Sequence, residues 1–212
     1  MVLPNVLPGL LSGFHDLHPD ATIEVLEAAP DHLTAALEEG ALDLAITYDL
    51  DLPDGWQRAP FASLVPHVIL PRDHPLADGP DAIDLGDLAG DPMVLLDVAP
   101  SAKHAHDCCR AAGFVPEVAL RARTYETVRA FVGRGYGWTL LVSRAASLET
   151  AEGREVVVKQ IAAPALPTVQ VCVLWHPRAM LNRASRTFVS HTLAHGSSLV
   201  GGPLDPAEPQ VS

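Results

Sequence analysis

The 212-residue sequence is poor in positive charge, with 14 Lys and Arg against 26 Asp and Glu and a formal net charge of −12. Such a chain works against repulsion when it approaches DNA phosphates or an anionic lipid surface, so it is a poor nucleic-acid binder by itself. Cysteine is scarce. Cys108 and Cys109 are adjacent and Cys172 is remote, which supplies no disulfide framework and fits a reducing, cytoplasmic setting. Aromatics make up only 5% of residues, and no apolar run reaches the roughly 18 residues of a membrane span. The first residues lack a basic leader and are cut by Pro4 and Pro8, so no signal peptide is expected. No P-loop, Gly-x-Ser-x-Gly elbow or paired-His zinc motif occurs. The many acids show no spacing that singles out a catalytic pair.

What is present is a folded α/β chain. Hydrophobic residues reach 48% and charged residues 19%. Leu3, Leu7, Leu10, Phe14 and Leu17 form one helical stripe that Pro19 stops. Ile23–Ala28 reads as a strand. Pro30 and Asp31 open a second helix with Asp31 as its expected N-cap, Leu33, Ala36 and Leu37 inward, and Gly40 as its stop. Leu42–Thr47 reads as a buried strand. Leu64–Leu70 reads as another, with Pro66 tolerated only at an edge or bulge. A short helix over 84–89 precedes strand Met93–Leu96, helix Ser101–Ala112, strand Val118–Arg123, helix Glu126–Arg134 and strand Trp138–Val142. Val156–Ile161 and Val169–Trp175 then read as strands and Leu181–Ala194 as a closing helix. Alternation of this kind predicts crossover helices on parallel sheets. Residues 196–212 are rich in Gly, Ser and Pro and read as a disordered tail.

Charge is uneven. Residues 1–69 hold 11 acids and the single base Arg58, whereas residues 70–172 hold 13 acids and 10 bases. Partners for an anion must therefore come from the middle of the chain or from backbone amides.

Several stretches, in order, resemble the effector-binding domain of LysR-type transcriptional regulators. They are Leu7–Phe14 (LPGLLSGF) with His18-Pro19, Leu37–Ile46 (LEEGALDLAI), His74–Ala77 (HPLA), Asp87–Ala89, Ala112–Pro116 (AGFVP) and Val128–Leu141 (VRAFVGRGYGWTLL). The resemblance implies a type II periplasmic-binding-protein-like fold of two α/β lobes joined by crossing strands. Lobe I would be 1–69 with 173–195, lobe II 70–172, and a small effector would bind between them. It also implies a homodimer or tetramer and contact with DNA only through a winged helix-turn-helix. Neither that domain nor the first strand of lobe I has a counterpart in these residues.

Ligands of parallel sheets meet the carboxyl ends of strands. On that rule, and by the resemblance, the ligand-binding positions are Ala29, Thr47, Tyr48, Val98, Ser101, Thr124, Tyr125, Gly137 and Trp138. Lys103 and Arg123 are the candidate partners for an anion, Arg123 through its bidentate fork. Ser101 and Thr124 each stand at a predicted helix start, where amides and the helix dipole favour an anion; each also reads simply as an N-cap. The effector class that fits is a carboxylate or aromatic acid. His104, Asp107 and Cys108 share one helical face, but with no second ligand cluster no metal site is expected, and no cofactor is either. The rival reading is a dehydratase-like enzyme or a solute-binding protein on the same scaffold.

Overall fold

A computed structural model of the chain describes residues 3–143, 145 and 147–199. It divides into two compact units: unit I takes the chain up to Leu64 and resumes at Val169, and unit II is Val65–Thr168.

Unit I contains helices α1 (Leu3–Leu17), α2 (Pro30–Glu38) and α5 (Arg183–Leu199), with strands β1 (Ala45–Tyr48), β2 (Gln57–Leu64) and β9 (Val169–Trp175). Its sheet runs β1-β9-β2, with β9 antiparallel to both neighbours. Leu37, Ala45, Trp56 and Leu174 form a buried cluster beneath α2, and Leu42 packs against it from the loop rather than from a strand. Gly40 stops α2 at a φ of 72°, a conformation that suits a residue without Cβ.

Four expectations in this unit are corrected. Ile23–Ala28 forms no strand. Ile23, Val25 and Leu26 are 40–57% exposed, and the only strand paired with β1 among the described residues is β9, so the segment has no ladder to join. The α2 cap is Ala29, with Pro30 at the first helical position and Asp31 already inside the first turn. Leu64–Leu70 is two strands, because the chain leaves unit I there: β2 ends at Leu64 and β3 begins at His67, with Pro66 in the break. Strand β2 itself was invisible in the pattern, since Pro60 and a register shift before Ala62 spoil its alternation. At the far end α5 runs through Gly196, where the expected tail begins, to Leu199. Gly196 packs so tightly that a Cβ there would lie 2.4 Å from Phe61 Cδ2. Residues 200–212 lie outside the described residues.

Unit II holds β3 (His67–Pro71), β4 (Ala82–Asp84), a single 3-10 turn at Leu85–Leu88, β5 (Met93–Leu96), α3 (Ser101–Ala111), β6 (Val118–Ala122), α4 (Tyr125–Gly133), β7 (Thr139–Leu141) and β8 (Val156–Ala163). Four strands run in the order β4-β8-β3-β7, and β5 pairs in parallel with β6. A parallel bridge between Met93 and Trp138 ties these two groups together. The period of two explains how short strands fill both faces. Val68, Leu70, Met93, Leu95, Trp138 and Leu140 point towards α3 with Cys108 and Cys109. Ile69, Val94, Leu96 and Leu141 point towards α4 with Val128 and Val132.

The bridge depends on one close approach. Gly137, at a φ of 139°, lets Trp138 N donate to Pro92 O at 3.0 Å while the indole Nε1 donates to Asp91 O at 3.1 Å. A Cβ at Gly137 would stand 2.0 Å from Pro92 O. Gly137→Ala is expected to cost about 3 kcal/mol or more in urea unfolding, from strain and collision together. Gly153→Ala, which also has positive φ (74°) but open space around it, is expected to cost only about 1–2 kcal/mol.

Candidate functional site: the strand-end edge of unit II

The directions of the strands decide which loops meet. β5 and β6 are parallel, β5 is parallel to the run entering β7, and β3 is antiparallel to β7 with His67 opposite Leu141. One edge of the sheet therefore gathers the turn after β5, the turn after β6, the exit of β7 and the entry of β3. Val98, Ser101, Thr124 and Tyr125 all lie on this edge, and the starts of α3 and α4 with them.

The two helix starts differ. Thr124 is extended (φ −122°, ψ 146°) and caps α4: its Oγ1 accepts from Thr127 N at 3.3 Å and donates to Thr127 Oγ1 at 2.7 Å. At α3 the cap position is Pro100, which makes no side-chain cap bond. Ser101 stands inside the first turn rather than before it. Two dipole-positive helix ends thus face one edge, the second without a capping side chain. Val98 packs half-buried against the α4-side core.

The charged residues sort less evenly. Arg123 is exposed at the end of β6. Beside it Arg121 reaches Asp97 in the neighbouring turn at 3.4 Å. Lys103 lies along α3, where its Nζ meets Asp107 at 3.2 Å.

Gly137 and Trp138 belong to the opposite edge. Trp138 is fully buried among Met93, Leu95 and Phe114, and Gly137 abuts Pro92, so neither joins the strand-end loops. Ala29, Thr47 and Tyr48 lie in unit I: Ala29 exposed at the start of α2, Thr47 half-buried and Tyr48 buried on β1.

Two residues of this edge escaped the sequence reading. His67 is buried at the entry of β3, with Nδ1 3.4 Å from Val65 O. Arg129 is buried in α4 and braces the chain beyond β7. It donates to Ser147 O at 2.6 Å, Glu149 O at 2.9 Å and Glu126 Oε1 at 2.7 Å, and its guanidinium lies 5.8 Å from the Tyr125 ring centre. Tyr125 adds a bond from its hydroxyl to Ser143 O at 2.9 Å. An arginine on an otherwise apolar helix stripe, one position after Val128, was the available signal.

The thiols have a different character. Cys108, Cys109 and Cys172 are buried, and burial pushes them up to about 11, about 12 and about 11. His104 Nε2 lies 3.6 Å from Cys108 Sγ, and burial lowers the pKa of that imidazole. Among the described residues no cluster of three or more His, Cys, Asp or Glu could hold a metal ion. No helix among them is long and apolar enough to cross a membrane.

Two α/β units, with the chain passing from the first to the second and back, have the type II periplasmic-binding-protein-like fold. Within that class the chain belongs to the LysR substrate binding domain family, which residues 1–197 match. It is similar to the C-terminal domain of a probable LysR family transcriptional regulator from Rhodococcus sp. RHA1, at 49% identity and a TM-score of 0.86 over 88% of this chain and 91% of that one. HinK, a LysR family transcriptional regulator from Pseudomonas aeruginosa, gives 34% and 0.87 over 93% of this chain and 68% of its own. A probable hydrogen peroxide-inducible genes activator of Mycobacterium leprae is 35% identical over 168 residues, 77% of this chain and 52% of that protein. The chain thus spans about half the length of the curated relatives it matches. It is an effector-sensing regulatory domain. The relatives are regulators rather than enzymes, and the dehydratase or solute-receptor reading is not favoured.

Replacing Arg129 by Met removes three charge-assisted bonds and leaves the Ser147 and Glu149 carbonyls without their donor. Chemical unfolding is expected to show a loss of about 2–4 kcal/mol.

Proposed function

We propose that this chain is the sensor of a LysR-type transcriptional regulator whose effector is a small carboxylate or aromatic acid, bound at the strand-end edge of unit II. The observation that carries this reading is the pair of helix starts on one edge, one lacking a side-chain cap, with Arg123 exposed beside the other. An anionic group there accepts from helix amides without having to displace a capping side chain at α3. Arg123 offers a planar fork for a carboxylate, and the Tyr125 ring offers an apolar wall. Lys103, held along its own helix by Asp107, contributes field rather than a contact. In this proposal the assembly is a homodimer or tetramer, and DNA is met by a winged helix-turn-helix outside these residues.

The peroxide response in the names of several relatives suggests a second reading, thiol sensing. The chemistry here argues against it. The attacking species is the thiolate, and all three thiols are buried and held protonated well above neutrality.

Two outcomes test the proposal. In a thermal-shift series of small aliphatic and aromatic carboxylates, a binder raises the melting temperature of the native protein. Arg123→Ala then weakens that binder by about tenfold or more, roughly the worth of one charge-assisted contact. An affinity unchanged in Arg123→Ala places the effector elsewhere. After treatment with hydrogen peroxide, thiol titration is expected to find all three thiols retained in the native protein, and free thiol lost in the urea-unfolded chain as sulfenic acid condenses with a second thiol to a disulfide and releases water. Fast oxidation of the native form would restore the thiol reading.

A further inference from the structure

In unit I, α1 and α5 pack together over a group of aromatic rings that includes three imidazoles. Phe14 of α1 lies edge-on to Phe188 (5.1 Å between centres) and to His191 (5.7 Å), both on α5, and 4.8 Å from His18 just beyond its own helix. His191 and His195, one turn apart on α5, have ring centres 4.5 Å apart and planes within 30°. We propose that this seam is a proton-sensitive joint: the neutral His191 ring holds α1 against α5, and its protonation between the two helices loosens them.

The geometry leaves little room for a charge. His191 is 8% exposed, and the backbone of Gly13 lies against its ring, so that a Cβ there would sit 3.4 Å from both Cε1 and Nε2. A cation formed here loses water and gains no opposite charge. The groups that bear on the His191 ring are the imidazoles of His195 on its own helix and of His18 just beyond α1, with the Leu10 backbone as a favourable neighbour. Among the described residues no carboxylate is a cause of its shift. Strand β2, which also packs on α5, presents Phe61 to Gly196, and the charge of its Arg58 is matched by Asp49. His195 Nδ1 donates to His191 O at 3.0 Å, which ties the two residues across one turn of α5.

Burial and the two facing imidazoles lower the pKa of His191 below its ordinary 6.5. The unfolded chain therefore binds a proton more readily than the folded one. Stability from this residue is complete above about pH 6.5 and is lost as the pH falls through that value towards the lowered one. Regulators that sense acid use buried histidines in this way.

The experiment is thermal unfolding of the whole chain between about pH 7.5 and about pH 5, for the wild type and His191→Gln, beside NMR titration of the histidine rings. The wild type is expected to lose melting temperature on acidification, and His191→Gln to lose markedly less. The difference between the two isolates this seam from His104, whose lowered pKa acts in the same direction in unit II. The His191 ring is expected to titrate below 6.5, and in the double variant His18→Gln, His195→Gln its titration moves up, a readout that stands even if His191→Gln does not fold. An equal loss in the wild type and His191→Gln, or a His191 ring that titrates at 6.5 or above, overturns the proposal.

Discussion

The parallel alignment of β5, β6 and β7 is the constraint on which the site depends, because it alone decides which loops share an edge. That alignment is held at one point by the approach of Gly137 to Pro92 and the two bonds of Trp138 to the 91–92 backbone. With β5 and β6 in the same direction, the turns that follow them emerge side by side. The crossover helices α3 and α4 then have to begin there. Anion-friendly helix starts at that edge are a consequence of strand direction before they are a property of any side chain.

This ordering explains why Gly137 and Trp138 read as ligand residues and sit elsewhere. The resemblance to the family named them, whereas in the chain they follow α4 and precede β7. The bridge to Met93 makes them the entry of β7, on the opposite edge from its exit. Thr124 illustrates the reverse case. Its place before an apolar helix stripe was enough to predict the cap, and the hydroxyl does cap Thr127.

Unit II was legible from β5 to β8, since strands buried on both faces give continuous apolar runs such as Met93–Leu96 and helices between them keep a clear stripe, whereas the three-residue β4 went unread and the helix expected over 84–89 is a single 3-10 turn. Unit I was less so. Ile23–Ala28 has the composition of a strand, yet pairing is a property of two segments, and one segment's pattern cannot reveal whether a partner stands beside it. Strand β2 was hidden by Pro60 and its register shift, and α5 outran its expected end because Gly196 serves helix packing against Phe61 instead of stopping the helix. At the candidate site, Ser101, Thr124 and Tyr125 were named by the strand-end rule and the resemblance, and they lie at the starts of α3 and α4. Arg129 and His67 did not, because their roles rest on carbonyls and strands distant in sequence.

If a small anion meets the starts of α3 and α4, as proposed, its binding protects their amides. Amide hydrogen exchange of the protein with and without the best carboxylate binder is then expected to slow in residues 97–103 and 123–128, with the amides of Met93 and Trp138 unchanged. Slowing confined to the 91–93 and 136–138 edge, or chemical conversion of the carboxylate by the protein, would contradict it.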